Sequence, residues 1–91
     1  MNKAELVEQV RQALGEGNTR AEAHRALEAV LGGIESGLKK DGLVALIGFG
    51  SFSVRRRGPR MGRNPRTGET IHIGPSRTVL FRAGRELKDQ V

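Results

Sequence analysis

The chain has 91 residues, 36% of them apolar, with three phenylalanines, no tryptophan or tyrosine, and a net charge of +6. That length fits one small domain with a thin aliphatic core. Without cysteine, disulfides and thiolate metal sites are excluded, so self-association is the expected staple and a homodimer the expected form. The charge is segregated: residues 1–50 hold six Lys/Arg against seven Asp/Glu, residues 51–91 ten against three. A neutral scaffold joined to a basic half is the electrostatic footprint of nucleic-acid binding. No run of 18 apolar residues and no secretory h-region occurs, so no membrane partner is expected and a cytoplasmic location is the default.

Asn2-Lys3-Ala4-Glu5 reads as a helix N-cap with Glu at the third helical position, and Leu6, Val7, Val10 and Leu14 follow at helical spacing. Gly15-Glu16-Gly17-Asn18 ends that helix. Thr19-Arg20-Ala21-Glu22 is a second capping box. Ala23, Ala26, Leu27, Val30, Leu31, Ile34 and Leu38 then form a broad stripe that ends at Lys39-Lys40-Asp41-Gly42. Gly32 and Gly33 inside this helix each cost about 1 kcal/mol relative to Ala; close approach of a partner helix and simple tolerance both account for them. Residues 43–47 read as a strand and Gly48-Phe49-Gly50 as a turn or bulge. A second strand follows, with Phe52 and Val54 on one face and Ser53, Arg55 and Arg57 on the other. After a basic segment, residues 70–82 read as a third strand with Val79 and Phe81 inward, and Pro75 signals an edge or a kink. Residues 84–91 suffice for a short helix anchored by Leu87.

The segment from Arg55 to Arg66 holds six arginines and no acidic residue. It has almost nothing to bury, yet alternating apolar segments flank it, which predicts a basic hairpin projecting from the body. Arginine supplies a planar fork for phosphates and suits narrow minor grooves. Asn64-Pro65 and Thr67-Gly68 carry turn chemistry. Pro65 is either a plain hairpin tip or a wedge that unstacks base pairs, and Met61 is either a second apolar contact or a gap-filler at the arm base. Other chemistries lack support. Gly48-Phe49-Gly50 has no accompanying nucleotide-binding spacing, and His24 and His72 are two lone histidines. No catalytic constellation, metal site, cofactor or small-molecule substrate is expected. An RNA-binding module would call for exposed stacking aromatics, which the chain lacks. A module whose arm docks on an acidic protein would have no use for a wedge-like tip.

Three motifs, Gly48-Phe49-Gly50-Ser51-Phe52, Gly62-Arg63-Asn64-Pro65-Arg66-Thr67-Gly68 and Phe81-Arg82-Ala83-Gly84-Arg85-Glu86-Leu87-Lys88, resemble the bacterial HU and integration host factor family of DNA-bending proteins. The resemblance implies an α+β fold in an intertwined dimer: a helical base (1–42), a β-sheet saddle (43–82) with two protruding arms at about residues 55–70, and a terminal helix (83–91). It implies that Pro65 is the intercalating wedge in the minor groove, flanked by Arg63 and Asn64. Arg55, Arg57, Arg60 and Arg66 would contact backbone and groove walls, and Lys3, Arg82, Arg85 and Lys88 would extend the track on the body. Phe49, Phe52 and Phe81, with Leu31 and Ile34, would form the dimer core. The implied function is a nucleoid-associated architectural protein that bends or compacts double-stranded DNA with low sequence specificity. The alternative is a site-specific bending subunit of an integration-host-factor-like dimer with a heterodimer partner. Gly74-Pro75-Ser76 departs from ordinary strand residues, which leaves pairing at the arm base open.

Overall fold

In the computed structural model, which describes residues 1–91, Asn2 caps the first helix through its side chain: Oδ1 accepts from the Glu5 N–H at 2.9 Å. Helix α1 spans Lys3–Leu14, and the Gly15 N–H bonds back to the Gln12 carbonyl at its end. Thr19 repeats the device, its Oγ1 accepting from the Glu22 N–H at 3.1 Å, and α2 runs over Arg20–Asp41. Both hydroxyl or carboxamide caps satisfy donors that the first helical turn leaves unpaired. Gly42 follows α2 at φ +72°, a left-handed conformation that a side chain disfavours.

By contact the chain divides into two units, Met1–Lys39 and Lys40–Val91. In the first, only Val7, Ala23 and Leu27 are buried, with Val10 against them. Much of the rest of the predicted apolar stripes stays open: Leu6 is 40% exposed, Leu14 49% and Val30 58%. Leu31 is also exposed and Ile34 half-buried, and a Cβ on Gly32 or Gly33 would meet nothing. Interiors of folded proteins are close-packed, so these faces await cover.

Two ion pairs tie the helical unit. Lys3 bridges to Glu28, with His24 Nε2 3.8 Å from the same carboxylate, and Arg11 holds Glu8. Hydrogen bonds from Lys3 and Arg11 push the Glu28 and Glu8 carboxyls below their ordinary value of 4.5. A carboxyl depressed in the folded state adds stability above its unfolded pKa and loses it as pH falls through the folded one. The melting temperature is therefore expected to drop as pH is lowered from 6 to 3, and the Glu8→Gln/Glu28→Gln variant to show a shallower drop. An identical pH profile for variant and parent would contradict the assignment.

The second unit is an antiparallel sheet carrying a ribbon. β1 (Leu43–Leu46), β2 (Gly50–Arg57) and β5 (Ser76–Ala83) form a three-stranded sheet in the order β1-β2-β5, and β3 (Arg60–Arg63) pairs with β4 (Thr70–Ile73). α3 (Arg85–Gln90) follows, its start tied to the preceding turn by a 2.7 Å bond from the Gly84 N–H to the Phe49 carbonyl. Three element boundaries correct the expectations above. Ile47 leaves β1 for the turn, where it is fully exposed, because the Phe49 N–H bonds to the Leu46 carbonyl and closes the chain there. The strand expected over 70–82 is two strands, interrupted at Gly74-Pro75, and the second runs on to Ala83 opposite Gly50. The terminal helix starts at Arg85 rather than 83, since Ala83 still belongs to the ladder.

The interruption is symmetric. Pairing stops at Arg57↔Ser76 and resumes at Arg60↔Ile73 without a change of register. Gly58 therefore faces Pro75, and Pro59 faces Gly74. Proline has no N–H to give to a ladder, and glycine has no side chain to support a pleat. The two Gly-Pro steps make a joint between the sheet and the distal hairpin of residues 60–73. A Pro59→Thr/Pro75→Thr variant restores two donors and strand propensity. It is expected to slow amide hydrogen exchange at residues 57–60 and 73–76; unchanged exchange would show that the prolines are not what interrupts the ladder.

Candidate nucleic-acid interface

Residues opposite each other in an antiparallel ladder project to the same side, and neighbours along a strand to opposite sides. The β2–β5 register pairs Ser51 with Arg82, Ser53 with Leu80, Arg55 with Thr78 and Arg57 with Ser76. One face thus carries Arg55, Arg57 and Arg82 with four hydroxyl side chains interspersed. The other carries Phe52 opposite Phe81, Val54 opposite Val79 and Arg56 opposite Arg77. On that second face the Phe52 and Phe81 rings lie 4.8 Å apart at 46°, and Phe49 meets Phe81 at 5.6 Å. Such tilted contacts suit aromatic quadrupoles. Gly50 lets the ring in: a Cβ there would sit 2.7 Å from Phe81 Cζ. The cluster is nonetheless uncovered, with Phe49 48% and Phe81 44% exposed.

In the distal hairpin Arg60, Gly62, Ile71 and Ile73 share one side, and Met61, Arg63, Thr70 and His72 the other. A Cβ on Gly62 would lie 2.5 Å from Ile73 Cδ1, so the glycine is what allows the two isoleucines to close over the ribbon. Arg60 and Arg63 therefore project to opposite sides of the ribbon. Met61 is 58% exposed and fills no gap.

The tip is built by Asn64. Its N–H donates to the Glu69 carbonyl at 2.8 Å, its carbonyl accepts from the Gly68 N–H at 2.7 Å, and its Oδ1 accepts from the Arg66 N–H at 2.8 Å. The side-chain bond is an Asx turn. Gly68 takes the left-handed conformation at φ +75°, and the Thr67 hydroxyl accepts from the Glu69 N–H. This closes the loop with Pro65 exposed at its apex between Arg63 and Arg66. One lone pair of the Asn64 side-chain oxygen serves the turn, while its amide nitrogen makes no hydrogen bond.

The body residues divide. Arg85 and Lys88 are exposed on α3, three positions apart and so on one side of it. Lys3 belongs to the helical unit, where Glu28 already neutralises it. Residue types alone did not single out Ser51, Ser53, Ser76 or Thr78, which line the arginine face, nor the Arg56–Arg77 opposition. Only the pairing register reveals them, and alternation within one strand does not report register.

Residues 1–91 match the family model described as bacterial DNA-binding protein. Among curated relatives, the DNA-binding protein HU-beta of Serratia marcescens is 47% identical over 91 residues, covering all of this chain and 99% of its own length. The DNA-binding protein HU of Xylella fastidiosa is 46% identical, with 95% of that protein covered. Among solved structures, an Anabaena HU–DNA cocrystal matches with a TM-score of 0.80 at 39% identity, over 99% of this chain and 96% of that one. An HU mutant from Thermotoga maritima matches at a TM-score of 0.66 and 27% identity, over 99% and 97%. No helix is long and apolar enough to cross a membrane. With a two-faced basic ribbon, an α+β fold and a match along its whole length, the chain belongs to the bacterial DNA-binding protein family that includes HU.

Proposed function

We propose that this protein is a homodimeric architectural protein of the bacterial nucleoid that grips duplex DNA from the minor groove and bends it. The observation that carries the reading is the ribbon's division of labour: Arg55, Arg57 and Arg82 among hydroxyls on one face, and a tip that presents Pro65 to solvent. The Anabaena HU–DNA cocrystal is of a protein similar over nearly the whole chain, which supports the same partner here.

Affinity arises mainly from neutralised phosphates. Arg55, Arg57 and Arg82 take the backbone at the saddle, while Arg85 and Lys88 extend the contact from α3. Lys3 joins them by exchanging Glu28 for a phosphate. Along the arm, Arg60 and Arg63 address the two groove walls, and Arg66 flanks the tip. Pro65 enters a base step and unstacks it, one from each arm, exchanging a few kcal/mol of stacking per step for more wrapped contact. Low sequence specificity follows, because the minor groove distinguishes mainly A·T from G·C. The second copy of the chain covers the open faces of Leu31, Ile34, Phe49, Phe52 and Phe81, which are too apolar to remain in water.

Four measurements test this. Sedimentation of the chain alone should give a dimer, and a monomer would contradict the covered-face reading. Arg63→Ala is expected to weaken binding to short duplexes and to reduce the magnitude of the log K–log salt slope by about 1; an unchanged slope removes Arg63 from the interface. Pro65→Ala should lower ring-closure efficiency on short DNA more than it lowers affinity, and full retention of bending would rule out the wedge. A competition titration against random DNA separates this reading from a site-specific bender, which would show a large specificity ratio.

A further inference from the structure

Arg56 and Arg77 are the arginines of the ribbon that the interface above leaves without a task. The β2–β5 register sets them directly opposite each other, on the side that carries Phe52, Val54, Val79 and Phe81. Like charges in directly opposed positions destabilise a ladder. Nothing in the neighbouring sequence relieves them: no acidic residue occurs from Ser51 to Gly68 or from Thr70 to Arg85. The ion pairs of the molecule all lie in the helical unit. Next to the pair, where the Gly-Pro joint interrupts the ribbon, is a shallow cleft of about 270 Å³ lined by Arg56, Arg57, Pro75, Ser76 and Arg77. Gly58 and Gly74 leave its surroundings open, since a Cβ on either would meet nothing. Arg56 and Arg77 bring two guanidinium forks to this side; Arg57 and Ser76 belong to the other face of the ladder and border the cleft at the joint, and no carboxylate lines it.

We propose that Arg56 and Arg77 form a second phosphodiester-binding site, on the side of the ribbon opposite Arg55, Arg57 and Arg82. It rests on the DNA-binding reading and adds a contact that this reading does not contain. A phosphate between the two guanidinium groups turns their repulsion into charge-assisted, bidentate hydrogen bonds. It comes either from the same duplex, where the bent flank returns past the arm base, or from a second duplex lying against the reverse side.

The test compares the full-length Arg56→Gln/Arg77→Gln variant with a charge-matched control, Arg25→Gln/Lys39→Gln, whose changes fall in the helical unit. A short duplex is titrated across salt concentrations. Separately, bead-tethered duplex saturated with protein is challenged with a labelled second duplex. If the same duplex fills the site, the magnitude of the salt slope falls by about 0.9 in the variant, the value of one phosphate, and by less than half of that in the control. If a second duplex fills it, capture of the label is lost in the variant and kept in the control. A variant that matches the control in both assays overturns the proposal. Arg56→Glu provides a folded check. It places an opposite charge against Arg77, so it should melt no lower than the parent while losing the same binding; unaltered binding there also overturns the site. Failure of the parent protein to bind duplex DNA would instead sink the DNA-binding reading itself.

Discussion

One constraint organises the basic half of this molecule: the register of the β2–β5 ladder. Because side chains alternate across a strand and coincide across a pair, a single pairing decides which residues meet a ligand and which meet another hydrophobic surface. Sliding β5 by one residue would turn Arg82 toward Phe52 and Phe81 toward the arginines. The register is held at one end by Phe52 against Phe81 and by the close approach that Gly50 permits. It continues unchanged through the Gly-Pro joint into the distal hairpin. The pairing of the arm is therefore in register with the sheet that Phe52 and Phe81 hold together.

The helical half shows the complementary dependence. Three buried residues make a small interior, and Val30 and Leu31 of α2 remain open. The phenylalanine cluster of the sheet is open in the same way. A chain with these faces is half of a structure. Open apolar faces occur in both the nearly neutral and the strongly basic part, and in the sheet they lie on the face opposite Arg55, Arg57 and Arg82.

Much of this was legible from the residues. The two capping boxes located both helix starts, since a side-chain oxygen three residues before a needed N–H is a local signal. Alternation placed Phe52 and Val54 together and Arg55 with Arg57, because that relation lies within one strand. The resemblance anticipated the α+β fold and the family. What stayed hidden depends on two strands at once. Ile47 looked like strand and is turn, because a hydrogen bond from Phe49 closes the chain early. Pro75 by itself signals an edge or a kink, but its partnership with Gly58 across the ribbon is a fact of register. The same holds for the hydroxyls beside the arginines and for Arg56 opposite Arg77. Asn64 is expected at the interface from its motif; what its bonds show is that it builds the tip.

Under the proposed function, Arg55, Arg57 and Arg82 act together as one duplex-binding face. The most direct measurement follows arginine side-chain Nε–Hε signals by NMR during titration with a short duplex at low salt. The account predicts that the signals of these three residues shift in concert, saturate together and revert together as salt is raised. Shifts confined to the helical unit, or no response from the three, would contradict it.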